Sequence, residues 1–196
     1  MTVHPAEALL DRQFRKARTH MQWTDKPVDP ALLTEAYDLA RWAPTAFNAS
    51  PMRVLFLRST EAKERLRPLL SPGNVDKTMR APVTAIVAQD SRFQDHLPTL
   101  FPFMDVKPLF DGNPDMAAET AFRNSSLQGA YLIVALRSVG LDVGPMSGFD
   151  AEGVNREFFP DGRYRSNFLI NIGHGEASAL HPRGPRLAFD QIAEII

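Results

Sequence analysis

The chain contains no cysteine. That excludes disulfides, thiolate metal ligands, thiol nucleophiles and cysteine-ligated iron–sulfur clusters. No apolar run approaches the roughly 20 residues that a membrane-spanning helix needs. Neither sign of charge is in surplus: 22 basic against 23 acidic residues leave a formal net charge of −1. The basic residues are scattered, which argues against a nucleic-acid or anionic-membrane partner. None of the five histidines pairs with another at metal-ligand spacing on a helix, so no metal is expected. No G-x-G-x-x-G follows a strand pattern and there is no P-loop, which argues against both common nucleotide-binding sites. Ser147 lies in Met146-Ser-Gly148 and lacks the G-x-S-x-G elbow of a serine hydrolase. The opening Met-Thr-Val-His-Pro-Ala-Glu has neither the charged nor the apolar region of a signal peptide, so the expected location is cytoplasmic.

What is present is enough for a core. With 196 residues, 44% of them apolar, the expectation is one domain over 1–196. Leu9, Leu10 and Phe14 share a face of a first helix predicted from Pro5 to Arg18. Asp29 as N-cap and Pro30 at the first helical position open a second. Val54–Leu57 and Val83–Ala88 read as buried strands, separated by a helix over Glu61–Arg67 that Thr60 caps and Pro68 ends. Residues 91–114, rich in proline and phenylalanine, show no period and read as an irregular excursion. A loop of that length in a compact domain is usually functional or mobile. The longest helix is predicted over 114–139, with Gly140 as its C-cap. Strands at Leu141–Gly144 and Asn167–Ile172, a helix at Ala151–Phe159 and a helical tail from Phe189 complete an α+β pattern, one sheet with helices around it.

Five polar or glycine-containing segments interrupt this pattern: Arg18-Thr19-His20, the Pro44–Asn48 loop, Asn74–Lys77, Gly144–Asp150 and Arg183–Arg186. The Arg41–Met52 stretch carries the second of them, with prolines restricting the backbone at both ends and small hydrogen-bonding residues between. Such a loop lets a flat polar ligand lie against main chain, although an ordinary helix-to-strand loop has the same composition. Cations at 18, 77, 183 and 186 could converge on a phosphate. Gly148 would let main chain approach a ring closely. Taken singly, a surface arginine or a turn glycine needs no ligand. Arg123 interrupts an apolar helix and calls for a partner: either a ligand or Glu119 one turn earlier.

In combination and in order, these segments resemble the FMN-dependent nitroreductase family, over nearly the whole chain. The family's cofactor motifs correspond here to Arg18-Thr19-His20, Pro44-Thr45-Ala46-Phe47-Asn48, Asn74-Val75-Asp76-Lys77, Pro145-Met146-Ser147-Gly148 and Arg186. Further blocks, among them Ala17–His20, Lys63–Pro68, Ala81–Val87, Glu119–Ser126 and Gly144–Asp150, are similar to the malonic semialdehyde reductase subgroup of pyrimidine catabolism. There are departures. Met21 stands where the family often has a second basic residue, and Ser50-Pro51-Met52 replaces Gln-Pro-Trp. Arg183 competes with Arg186 for the C-terminal basic role, and the spacing of Arg186-Leu-Ala-Phe-Asp190 favours Arg186.

The resemblance implies a nitroreductase-like fold, a mainly antiparallel central sheet surrounded by helices in an intertwined homodimer with FMN at the interface. The long helix would help to form the dimer core. NADH or NADPH would reduce the flavin at N5, and the flavin would in turn reduce malonic semialdehyde to 3-hydroxypropanoate, with no side chain assigned as catalytic. Arg123 would bind the substrate carboxylate. The alternatives are a general nitroaromatic or quinone reductase on the same scaffold, and a flavin-binding protein without turnover.

Overall fold

The computed structural model describes residues 5–196. In chain order the elements are α1 (Pro5–Leu10), α2 (Pro30–Ala40), β1 (Met52–Leu57), α3 (Thr60–Leu66), α4 (Pro72–Arg80), β2 (Val83–Asp90), α5 (Leu97–Leu100), α6 (Lys107–Asp111), α7 (Pro114–Ser138), β3 (Asp142–Met146), α8 (Ala151–Phe158), β4 (Tyr164–Gly173) and α9 (Phe189–Ile192). The strands form one antiparallel sheet in the order β1-β2-β4-β3. The architecture is therefore α+β, with an antiparallel sheet and helices around it.

Local chemistry sets most helix ends. Asp29 accepts the Ala31 N–H at 2.9 Å ahead of Pro30, and Asn113 accepts the Met116 N–H at 3.1 Å ahead of Pro114. Gly140, with φ of 89°, follows the end of α7 in a conformation that favours glycine. The cap of α3 is Ser59, which accepts the Ala62 N–H at 3.1 Å, so the expected Thr60 is one residue late. The first helix is also shorter than expected. After Leu10 the chain widens into a turn over Asp11–Arg15, closed by the Lys16 N–H on the Asp11 carbonyl at 2.8 Å.

A helix that the apolar pattern did not announce is α4. Asn74 and Lys77 lie within it and not in a loop. Its only buried residue is Thr78, so it has no apolar stripe to reveal it. A buried relay ties it to the sheet: Asn171 donates to the Thr78 hydroxyl at 3.1 Å, and Thr84 donates to the Asn171 amide oxygen at 2.9 Å.

Alternation along β2 and β4 separates two core layers. Val83, Ala85, Val87, Ile170 and Ile172 pack with α2 and α7, and Ile86, Ala88 and Leu169 pack with Leu66 and Val154 from α3 and α8. Leu132, Leu136, Ile170 and Ile172 are fully buried. At roughly 1.5–3 kcal/mol for each such side chain, the α7 layer is where a truncation costs most. A Cβ on Gly129 would stand 2.5 Å from the Phe168 ring, so α7 meets the sheet at this point only through a glycine.

The 91–114 excursion contains α5 and α6 and folds over the start of α7, burying Phe93, Leu97 and Phe110. Its start is tied to Asp90 at the end of β2, which accepts the Arg92 N–H at 2.9 Å and lies 3.5 Å from His96, while Arg53 and Arg163 hold the carboxylate from the sheet side. The tail from His181 onward is exposed, with a single helical turn at α9. Among the described residues no helix is long and apolar enough to cross a membrane.

Candidate functional site

A cleft of about 410 Å³ opens where the turn after α1, the end of α7 and the C-terminal tail meet, and Arg18, Arg137, Arg183 and Arg186 line it. No carboxylate belongs to its lining. Each guanidinium is held by main-chain oxygens. Arg183 donates to the Arg15 and Ala17 carbonyls at 2.8 and 2.7 Å, and Arg137 to the Gln13 carbonyl at 3.1 Å. Arg18 donates to the His181 carbonyl, and Arg186 to Gly184 and Pro185 in its own turn. Burial pulls the Arg137 pKa below its usual value, yet a guanidinium remains charged. Four cations converging on one cleft suit a phosphate, which accepts charge-assisted hydrogen bonds.

Thr19 and His20 run beside β3. Thr19 pairs with Val143, and the His20 N–H donates to the Val143 carbonyl at 3.0 Å. Gly144 makes this approach possible, because a Cβ there would lie 2.5 Å from the His20 carbonyl oxygen. His20 is buried with Nε2 3.9 Å from Asp142, and it does not line the cleft. Burial lowers its pKa from the ordinary value, so the ring is neutral at pH 7.

Pro145 and Met146 end β3, and Ser147-Gly148 follow. The Gly148 carbonyl accepts from the Ser71 N–H at 3.1 Å and from the Asn74 amide at 2.7 Å. Asn74 thus holds the glycine turn in place. The N–H groups of Ser147 and Gly148 have no acceptor among the described residues. Lys77 joins the neighbourhood through its main chain, whose carbonyl accepts the Trp23 indole N–H at 3.1 Å. Its side chain does not line the arginine cleft.

The Pro44–Asn48 loop lies elsewhere. Thr45 accepts the Ser50 N–H at 3.1 Å, Ala46 N–H donates to Asn124 at 2.8 Å, and Asn48 donates to the Leu100 carbonyl at 2.9 Å. Asn124 and Arg137 stand 13 positions apart on α7 (137 − 124), or about 20 Å at 1.5 Å per residue. Within one chain the loop therefore meets the middle of α7, and the arginine cleft lies at its C-terminal end.

Arg123 is not a buried charge. Its side chain is 68% exposed and ion-paired with Glu119 one turn earlier, because this flank of α7 faces away from the sheet. Three residues escaped the sequence reading. Arg137 carried the signal of a basic residue in a helix's last turn, which reads as a dipole partner. Asn124 and Gln128, spaced i,i+4, are both buried on the core side of α7; a polar pair on an apolar stripe was the available clue. Among the described residues no group of three or more His, Asp or Glu is placed to hold a metal.

Comparison with known proteins supplies a family. Residues 14–174 match the nitroreductase family. A protein of Rhodopseudomonas palustris (strain TIE-1) named "Putative NADH dehydrogenase/NAD(P)H nitroreductase" is 55% identical over 187 residues, 95% of each chain. The structure of "putative nitroreductase ydfN" from Bacillus subtilis superposes with a TM-score of 0.88 at 21% identity, covering 98% of this chain and 100% of that one. A "putative nitroreductase in complex with FMN" from Exiguobacterium sibiricum 255-15 gives 0.81 at 21% identity, covering 100% and 99%.

Proposed function

Because this chain belongs to the nitroreductase family, we propose that it is a single-domain, cytoplasmic NAD(P)H-dependent FMN oxidoreductase. The observation that carries the reading is the cleft of four arginines with no carboxylate in its lining. A flavin mononucleotide phosphate, with up to two negative charges, fits that donor set. The name of the Rhodopseudomonas relative and the FMN in the Exiguobacterium structure support the same cofactor pair.

Arg18, Arg137 and Arg186 would hold the phosphate, with Thr19 lining the cleft and His20 fixing that segment to β3 through main chain. The free N–H groups of Ser147 and Gly148, in the turn that follows Pro145 and Met146, would donate to the ring. Lys77, on the helix whose Asn74 braces that turn, would supply positive charge beside it. When bound, FMN supplies two-electron transfer between the reduced nicotinamide and the acceptor. The protein binds, orients and excludes water, and none of its side chains is assigned as a proton donor.

The reading includes a homodimer. Pro44, Thr45, Ala46 and Asn48 are too far from the arginine cleft of their own chain to share a ligand with it, and a second copy would bring them to it. Phe122, Leu127 and Tyr131 on α7 are 56%, 46% and 47% exposed. Obligate interfaces resemble a divided core, and these exposed apolar side chains on the flanks of α7 supply part of such a surface.

For the acceptor we propose malonic semialdehyde, an aldehyde that with NAD(P)H and one proton gives 3-hydroxypropanoate and NAD(P)+. This rests on the block similarity described above. Arg123, exposed and held only by Glu119 on the same helix, is free to exchange that partner for a substrate carboxylate. A nitroaromatic or quinone acceptor is the second reading, favoured by the relative's name. The test is the visible spectrum of the purified protein, followed by anaerobic addition of NADH or NADPH. A yellow protein that bleaches and then turns over the semialdehyde faster than a nitroarene supports the first reading. The reverse order supports the second. A colourless protein that takes up no FMN refutes both, and a yellow one that does not bleach is a carrier.

A further inference from the structure

The Pro44–Ser50 loop adopts a backbone that its residue types resist. Phe47, Asn48 and Ser50 have φ of 53°, 50° and 42°, and none is glycine. In this left-handed region Cβ crowds the following carbonyl. Non-glycine residues stay there only when the surroundings over-determine them, and such positions cluster at functional sites.

The surroundings that impose it are two buried amides one turn apart on α7. Asn124, 4% exposed, accepts the Ala46 N–H at 2.8 Å and donates its own amide N–H to the Thr120 carbonyl at 2.8 Å. The second bond fixes which amide atom faces the loop. Gln128, also 4% exposed, accepts the Met52 N–H at 2.9 Å, just past the other end of the loop. Asn48 and Thr45 tie the middle to Leu100 and Ser50. Apolar side chains would pack on this stripe without the desolvation cost of two amides. The amides make sense as main-chain clamps.

We propose that Asn124 is a positioning residue for the flavin site, holding Ala46–Ser50 in the left-handed shape that the loop presents to the cofactor, with Gln128 as the second clamp. The proposal rests on the reading of that loop as part of the FMN site. Asn124 does not touch the cofactor and acts through Ala46.

The test compares Asn124→Leu, which removes the acceptor at similar size, with Asn124→Asp, which keeps an oxygen. The readouts are amide hydrogen exchange at Ala46 and the FMN dissociation constant from flavin fluorescence. Asn124→Leu should speed Ala46 exchange and weaken FMN roughly tenfold or more, since a buried donor is left unpaired. Asn124→Asp keeps the acceptor for Ala46 but sets an oxygen against the Thr120 carbonyl and buries a charge, so Ala46 exchange should stay closer to the parent than in Asn124→Leu. Adding Ser50→Gly, at a positive-φ position outside the named cofactor residues, to Asn124→Leu should recover part of the affinity, because glycine takes positive φ freely. Unchanged exchange and affinity in Asn124→Leu, or no recovery on adding Ser50→Gly, overturns the proposal. If Asn124→Leu does not fold, Gln128→Leu decides: faster Met52 exchange with weaker FMN binding supports the clamp, and both unchanged overturn it. A parent protein that binds no FMN counts against the proposed function instead, while Ala46 exchange still reads the clamp.

Discussion

Replacing Asp90 by asparagine tests how the excursion is fastened to the sheet. Asp90 is fully buried. Its Oδ2 accepts from Arg53 at 2.8 Å, Arg163 reaches both oxygens at 3.1 Å, and the Arg92 N–H donates to Oδ1 at 2.9 Å. His96 Nε2 lies 3.5 Å away. Burial pushes the carboxyl pKa up, but the hydrogen bonds from Arg163 and the Arg92 N–H, with the charges of Arg53 and Arg163, outweigh it and hold the pKa below the ordinary aspartate value. The amide of Asp90→Asn would keep the shape but turn an NH₂ toward a guanidinium, leaving Arg53 without its carboxylate and Arg163 with only Asp95 at 3.8 Å. Removing one partner of a fully buried pair costs about 3–5 kcal/mol. The Arg53 and Arg163 side chains keep 26% and 33% exposure, so water recovers part of that, and about 2–4 kcal/mol is expected. For a chain of this size that lowers Tm by roughly 4–16 °C.

Urea and thermal unfolding at one fixed FMN concentration would measure the loss, the ligand being held constant because it raises Tm itself. The pH dependence supplies a second check. A carboxylate whose folded pKa is depressed contributes stability above its unfolded pKa near 3.8, and that contribution disappears as pH falls through the folded value. The gap between parent and Asp90→Asn should therefore be full at pH 6–7 and close on acidification. A loss under about 1 kcal/mol, the range of a surface pair, or a gap that does not change with pH, would refute the account.

Arg137→Met should weaken FMN about 10- to 150-fold by removing one charged hydrogen-bonding partner, as measured by fluorescence titration; an unchanged affinity would take Arg137 out of the phosphate site. Gly144→Ala puts a Cβ against the His20 carbonyl, so it should displace the Thr19–His20 strand and lower Tm and FMN affinity together. Lys63, buried and bonded to the Met79 and Ala81 carbonyls, has its pKa lowered by burial to about 8 from 10.5. The folded state then releases that proton before the unfolded one, so this group adds stability as pH rises from about 8 to 10.5, and Lys63→Met should flatten that part of a Tm-against-pH curve. Arg123→Met should raise KM for malonic semialdehyde and lower kcat/KM about 10- to 150-fold, with quinone reduction and flavin content intact. Loss of flavin or of the dimer would assign Arg123 a structural role.

Signals that act within one turn of chain were legible without coordinates. Asp29-Pro30, Pro114 and Gly140 mark helix ends because a cap satisfies main-chain groups two or three residues away. Val54–Leu57 and Val83–Ala88 mark strands because a short run that is apolar or nearly so has the interior to occupy. The order of the cofactor segments was equally readable, since order is a property of the chain. Helix α4 was not, because a helix burying only Thr78 leaves no period to read. Arg137 and Asn124 were not legible for a different reason. Arg137 becomes part of a cleft through Gln13 and the tail, 124 positions before it and some 46 after it (137 − 13 and 183 − 137). Asn124 becomes a clamp through Ala46, 78 positions away. Arg123 shows the converse: adjacent to Asn124 in sequence, it faces outward, since neighbours on a helix point about 100° apart. A side chain's type and local period decide whether it caps, turns or buries. Which distant main-chain atom it meets is decided by how α7 lies across the sheet, and that follows from the packing of the whole molecule.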